Sequence, residues 1–247
     1  MPELPEVEIT KLKLAPLIRG RRVLNFWTDW PRGLKMTNDK GRMTNNSKRM
    51  AADMWGRKIV DVTRRGKVLF FRLSPRPGSG RAGGMRLMAV HLRMSGRLEV
   101  VPAPLGQINK YPRPSILVKS GVGRWVHFRW QLSGGKELRL VDPRKFGRVW
   151  YGSPERIVEH PYLASLGIDA ANLSSERFLV AFRGRRGMVK PLLLRQDIVA
   201  GVGNILADES LWRARVHPKT SVADLADSAL RRLGGALDRT IRSILSS

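Results

Sequence analysis

The sequence predicts an α+β fold: a strand-rich N-terminal half with a flanking N-terminal helix, followed by a helical C-terminal half. Three observations predict it. Apolar residues alternate in short runs up to about residue 152. After Pro154 they recur at helical spacing, as in Phe178, Ala181 and Phe182. Gly/Pro-rich stretches at 75–84 and 102–114 read as loops between strands. A linker near 152–162 gives expected domains of 1–153 and 154–247.

Each element follows in order. From Pro5 to about Ile18, Val7, Ile9, Leu12, Leu14, Leu17 and Ile18 loosely fit a helix that Gly20 ends. The polar, basic stretch 35–49 reads as an exposed loop. Lys58–Val62 and Lys67–Leu73 read as paired strands around Arg64-Arg65-Gly66, followed by strands at Met85–Met94 and Arg97–Val101. Val126, Phe128, Trp130 and Leu132 alternate with polar or amphipathic residues, which predicts a strand with one buried face. Ser133-Gly134-Gly135 turns it into Glu137–Val141. In the second half, Pro191 suits the start of a short helix. Asn204–Ala214 reads as a helix with Ile205, Leu211 and Ala214 inward. Ser221 and Asp224 resemble a capping pair before a long amphipathic helix carrying Val222, Leu225, Leu230, Leu233, Leu237, Ile241 and Ile244.

Composition bounds the function. Lys and Arg number 46 against 20 Asp and Glu, a formal charge of +26 spread along 247 residues. Such an excess points to a polyanion, nucleic acid first, with steep salt dependence. Membrane surfaces and ribosomal RNA are competing polyanions. Cysteine is absent, which excludes disulfides and thiolate-held zinc. His91, His127, His160 and His217 are far apart and show no metal-ligand spacing. The acidic N-terminus is no signal peptide and no apolar run approaches membrane-spanning length, so a cytoplasmic or nucleoid protein is expected.

The chain opens Met1-Pro2-Glu3-Leu4-Pro5-Glu6-Val7-Glu8. Trimming of Met1 before the small Pro2 leaves a secondary amine beside a carboxylate, an arrangement suited to covalent catalysis at a sugar or carbonyl carbon. Taken alone, the same residues read more readily as a stiff start and as carboxylates at a helix N-terminus. Further stretches bear on the choice. They are Arg64-Arg65-Gly66-Lys67, His91-Leu92-Arg93-Met94-Ser95-Gly96, Asp142-Pro143-Arg144-Lys145-Phe146-Gly147, and Gln196 to Glu209 running on to His217-Pro218.

In this order and spacing they closely resemble bacterial formamidopyrimidine-DNA glycosylase, within the family that includes endonuclease VIII, over almost the whole chain. The resemblance implies an N-terminal β-sandwich with its flanking helix, then a helix–two-turn–helix domain, with a DNA cleft between them. It implies a bifunctional enzyme that removes oxidised purines and then cuts the strand. Pro2 would attack C1′ of the damaged nucleoside, Glu3 would shuttle protons, and Lys67 would contact phosphate and serve elimination. Without the resemblance Lys67 is an ordinary exposed strand lysine. Met94, Arg144 and Phe146 match the trio that fills the gap left by a flipped base; alone, Met94 and Phe146 would read as core. Asn204, within Gly201-Val202-Gly203-Asn204, matches a phosphate-gripping asparagine, its glycines permitting close backbone approach. His91 and Arg186 match further phosphate contacts, Glu6 falls within the DNA-binding opening motif, and Lys190-Pro191 reads as structural.

The departures carry their own expectations. The family normally ends in a zinc finger of four cysteines whose β-hairpin arginine reaches DNA; this chain has no cysteine, so no cofactor is expected. The finger is either absent by nature or missing from a truncated form, and affinity and the final δ-elimination are placed in doubt. Trp125 stands where a DNA-contacting histidine is common, and Arg93 where glycine is frequent. The expected partner is damaged double-stranded DNA, bound by a monomer away from membranes. A lesion binder without catalysis, or a basic RNA-binding or ribosome-associated protein, are the other readings; trapping on an abasic duplex separates them.

Overall fold

The computed structural model describes residues 1–37, 43–44, 46–78, 84–103 and 123–246. They form two compact units. One comprises Thr10–Thr63 and Val68–His160; the other comprises Met1–Ile9, Arg64–Lys67 and Pro161–Ser247.

The first unit is the β-sandwich. Its strands are β1 (Val23–Thr28), β2 (Leu34–Thr37), β3 (Met43–Thr44), β4 (Ile59–Arg65), β5 (Val68–Leu73), β6 (Arg86–His91), β7 (Arg97–Pro102), β8 (Val126–Leu132), β9 (Lys136–Val141) and β10 (Arg148–Gly152). One sheet has the order β1-β8-β9-β7 and the other β3-β2-β10-β6-β5-β4. Strand β10 runs parallel to β2 and antiparallel to β6. The flanking helix α1 spans Leu4–Ile18 and is closed by Gly20 at φ +80°, a left-handed position that glycine adopts without steric cost.

Several local expectations are corrected. The stretch 35–49 is not simply a loop: β2 occupies its start and helix α2 (Ser47–Met54) its end, while 38–42 and 45 lie outside the described residues. Met50 and Met54 give α2 a buried face, and Asn46 caps it by accepting from the Arg49 N–H. Strand β8 is buried on both faces. Its polar face is tolerated because Arg129 makes a two-pronged pair with Glu137 (3.0 Å each), and Arg139 donates to the same carboxylate at 2.5 Å. Strand β10 is an addition to the predicted set, and the expected linker holds two short helices, α3 (Pro154–Val158) and α4 (Pro161–Ala164). Most of the expected loops at 75–84 and 102–114 lie outside the described residues.

The second unit is helical. Besides α4 it contains β11 (Ile168–Asp169) paired with β12 (Val199–Ala200), α5 (Ser175–Phe182), α6 (Val189–Leu194), α7 (Asn204–Arg213) and α8 (Asp227–Leu245). Its core gathers Leu4, Phe178, Phe182, Leu193, Val199, Val202, Leu206, Leu230, Leu233 and Leu237. The Phe178 and Phe182 rings stack at 4.3 Å between centroids. Helix α7 turns inward through Leu206, Ala207, Ser210 and Leu211, while Ile205 is exposed, contrary to expectation. Ser221 caps a separate 3-10 turn at Val222–Asp224, so α8 starts only at Asp227. Among the described residues, no helix is long and apolar enough to cross a membrane.

Candidate active site and nucleic-acid interface

The N-terminal segment is seated in the helical unit. Glu3 is 3% exposed. Its Oε2 accepts from the N–H groups of Gly203 and Leu206 at 3.0 Å each, and its Oε1 from Ile205 at 2.8 Å. These are the otherwise unpartnered donors of the first turn of α7, so Glu3 caps that helix from 200 residues away. The Glu3 N–H donates to Glu6 Oε2 at 2.9 Å, and the Leu4 N–H to the Gly201 carbonyl at 3.1 Å.

The glycines of Gly201-Val202-Gly203 are explained by this seating. A Cβ on Gly203 would lie 2.3 Å from the Glu3 carboxyl carbon, and one on Gly201 2.6 Å from Leu4 Cδ1. Gly201 also has φ +110°. The close approach these glycines permit is therefore to the protein's own first residues. Gln196 braces the loop: its amide group donates to the Leu194 and Val202 carbonyls, and its oxygen accepts from the Gly201 N–H.

Lys67 stands at the tip of the β4–β5 hairpin, 3% exposed, and its ammonium donates to the Val202 carbonyl at 2.7 Å. Burial pushes its pKa below the ordinary lysine value, while the Glu3 and Glu6 carboxylates pull the other way. The tip is fixed by Asp169, whose Oδ2 accepts from the Gly66 N–H at 2.6 Å and from Arg64 Nη1 at 2.8 Å. Arg64 also pairs with Glu8 at 2.8 Å, which ties the hairpin tip to the N-terminal helix. Pro2, Glu3 and Lys67 thus belong to one compact unit, although they come from different parts of the sequence. Met1 precedes Pro2 and is 54% exposed, so the Pro2 nitrogen becomes an amine only once Met1 is removed.

In the sandwich, Met94 and Phe146 are surface residues, 47% and 40% exposed. The strand expected to run to Met94 ends at His91, and Met94 sits on the following turn. Arg144 lies with its guanidinium carbon 4.7 Å from the Phe146 ring centroid. The residues around these side chains adopt left-handed backbone: Arg93 at φ 57° and Lys145 at φ 55°. Asp142 is fully buried and holds the second turn through its Oδ2, which accepts from the Phe146 and Gly147 N–H groups at 2.7 Å each. Its Oδ1 accepts from the Arg144 N–H at 3.2 Å and the Ser95 hydroxyl at 2.5 Å.

Asn204 is exposed as the first residue of α7, and Arg186 is exposed before α6. Glu6 is exposed beyond its contact with the Glu3 N–H. His91 is buried at the end of β6, where its Nδ1 accepts from the Arg93 N–H at 2.9 Å, which places it under the Met94 turn. Trp125 is partly exposed, with Arg124 over its ring. Lys190 pairs with Asp208 at 2.7 Å, joining α6 to α7. Sequence reasoning missed the roles of Asp142, Asp169 and Gln196. All three stand inside or beside the motifs, but a single polar residue carries no periodic signal. The four-thiolate zinc centre implied by the resemblance does not fit this chain, which has no cysteine. Among the described residues no cluster of three potential ligands is present.

Comparison with known proteins agrees with this geometry. Residues 1–149 match the formamidopyrimidine-DNA glycosylase N-terminal domain and residues 166–246 the formamidopyrimidine-DNA glycosylase H2TH domain. The chain is 35% identical over 243 residues to formamidopyrimidine-DNA glycosylase of Symbiobacterium thermophilum, spanning 98% of this chain and 69% of that protein. It is 33% identical to the Deinococcus radiodurans protein of the same name, spanning 100% and 74%. Among solved structures, it resembles Lactococcus lactis Fpg (MutM) in complex with DNA containing an oxidised pyrimidine. That match has TM-score 0.77 and 26% identity and covers 99% of this chain and 80% of that one. MutM in complex with DNA containing carbocyclic 8-oxo-G gives the same TM-score, identity and coverage.

Proposed function

The chain belongs to the formamidopyrimidine-DNA glycosylase family, and from that premise we propose that it excises oxidised purines from duplex DNA and cleaves the strand at the resulting abasic site. The observation that carries this reading is the seating of Glu3 on the first turn of α7, with Lys67 buried in the same unit. A residue that only stiffened the chain start would not need three backbone donors and a glycine cleared for its carboxylate.

After Met1 is removed, the secondary amine of Pro2 attacks C1′. The bond from C1′ to the base breaks, and the base leaves with the bonding electrons and takes a proton from solvent. The Pro2 nitrogen yields its proton to the Glu3 carboxylate, which passes it to the ring oxygen as the C1′–O4′ bond breaks, and the nitrogen lone pair closes the iminium. Loss of a proton from C2′ then expels the 3′ phosphate, with Lys67 serving this elimination and the phosphate charge. An α-amine has pKa ~8 in the unperturbed state, so a useful fraction is unprotonated near neutral pH.

A base inside a duplex must leave the stack before its sugar can react. Met94 and Phe146, being exposed on turns, suit a wedge, and Arg144 suits the orphaned partner base. Glu6, Arg186 and Asn204 are the proposed DNA-facing residues of the helical unit, and His91 supports the Met94 turn from below. The proposed division along the sequence is 1–153 for chemistry and lesion reading and 154–247 for backbone grip, with Met1–Ile9 and Arg64–Lys67 lent by the first part to the helical unit. The proposed substrates are 8-oxoguanine and formamidopyrimidines, met by a monomer on the nucleoid.

Borohydride reduction on an abasic-site duplex tests the reading. The Met1-trimmed chain should become covalently linked to DNA, and a chain that retains Met1 should not. Equal trapping by both would place the nucleophile elsewhere, Lys67 first. Failure of the trimmed chain to trap at all would favour a lesion binder without chemistry.

A further inference from the structure

Asp142 is a hub for three surface segments of the sandwich, not only for its own turn. Its main-chain N–H donates to the Trp125 carbonyl at 2.8 Å. Its Oδ2 takes the Phe146 and Gly147 N–H groups, and its Oδ1 takes the Ser95 hydroxyl together with the Arg144 N–H. Ser95 lies next to Met94, 47 residues from Asp142 in sequence. The carboxylate is fully buried. A buried carboxylate is stable only when its lone pairs are satisfied, and here four donors from two segments meet on the carboxylate while the main-chain N–H of the same residue reaches the third segment at Trp125.

We propose that Ser95 and Asp142 are positioning residues that lock the Met94 turn and the Arg144–Phe146 turn into one rigid reading head, so that the three side chains enter the duplex in concert. The proposal rests on the function proposed above and deepens it. Both turns carry left-handed, non-glycine residues, Arg93 and Lys145, and each is held by a hydrogen bond at its base. Without the tie, each turn would find its insertion geometry separately, and the ordering would have to be met during base extrusion. A displacement of about 1 Å in a positioning group can cost on the order of a hundredfold in rate.

The test is Ser95→Ala, with Ser95→Thr as the variant that keeps the hydroxyl. Amide exchange in the DNA-free protein reads the tie itself. Ser95→Ala should speed exchange of the Arg144 and Phe146 amides, which lie on the other turn, and Ser95→Thr should restore protection. Excision from an 8-oxoguanine duplex should fall about ten- to hundredfold in Ser95→Ala, while cleavage of a preformed abasic site stays within about twofold. A double-mutant cycle of Met94→Ala and Phe146→Ala should be non-additive in the parent and additive in the Ser95→Ala background. Unchanged exchange at Arg144 and Phe146, or equal losses on both substrates, would overturn the proposal. A parent chain that excises nothing overturns the proposed function instead, and the exchange arm still decides whether the turns are tied.

Discussion

Gly203 is the point at which the beginning and the later part of the chain meet. Its missing side chain makes room for the Glu3 carboxylate, and its N–H is one of the three donors that hold it. Gly203→Ala should therefore unseat Glu3, not merely crowd it. A loss of about 2–4 kcal/mol in unfolding free energy is expected, the range of a buried network broken in a packed site. Single-turnover excision should drop at least about a hundredfold. Excision at the parent rate in a folded Gly203→Ala variant would show that Glu3 works without the helix terminus. Lys67 gives a second prediction. Its lowered pKa is held up by Glu3 and Glu6, so Glu6→Gln removes one of the two upward pulls. The alkaline limb of abasic-site cleavage should move to lower pH in that variant, read from a pH–rate profile. Linkage has the same sign. Between the native and ordinary lysine pKa values the native state holds fewer protons than the unfolded one. The contribution of Lys67 to stability is thus poorest below the native pKa and improves as pH rises through that window. An alkaline limb that moves upward would mean that a different group controls it.

At the scale of elements, the turns matter more than the strands they connect. Arg93 occupies a left-handed position at φ 57° that glycine fills without cost. Such strain is worth about 1–3 kcal/mol, partly offset by the ~0.5–1 kcal/mol that glycine loses in chain entropy. Arg93→Gly should then raise the unfolding free energy by roughly 1 kcal/mol, seen as a Tm higher by about 2–4 °C. A lower Tm would mean that the arginine side chain contributes more than its backbone costs. The same elements show what the sequence reveals and what it hides. Helix α1, the β8–β9 hairpin and the Phe178–Phe182 helix follow from apolar spacing, because local burial imposes a period. The surface placement of Phe146 was legible from the Asp-Pro-Arg-Lys-Phe-Gly stretch around it, but that of Met94 was not, since the strand was expected to run to it and ends at His91. The buried polar face of β8 was not, since it depends on Glu137 meeting Arg129 and Arg139. Ser221 was read as the cap of α8, but it serves a short turn, and five further residues pass before that helix begins. That Pro2, Glu3 and Lys67 come together was legible through motif order. The purpose of Gly203, Gln196 and Asp169 was not, because their partners lie far away in sequence or in main-chain atoms that no composition marks.

The whole molecule carries +26 without any thiolate-held metal, so duplex binding should be retained and strongly salt-dependent. These 247 residues hold no cysteine and hence no four-thiolate finger, whose arginine the family resemblance associates with the last cleavage. Cleavage products should stop mostly after β-elimination, leaving a 3′ unsaturated aldehyde end on a sequencing gel. Dominant 3′ phosphate would show that another basic residue has assumed that part. The Glu3 clasp also imposes an order in time. Its three donors lie 200 to 203 residues downstream. At about 5–20 residues per second, ribosomal synthesis delivers them roughly 10–40 s after Glu3 has been made. Throughout that interval the clasp on Glu3 cannot form. On the proposed function, methionine trimming can then act before Glu3 is clasped and before Pro2 reaches its half-buried position. The proposed nucleophile would thus be made before the unit that would use it is complete, and vectorial synthesis would keep the two events apart.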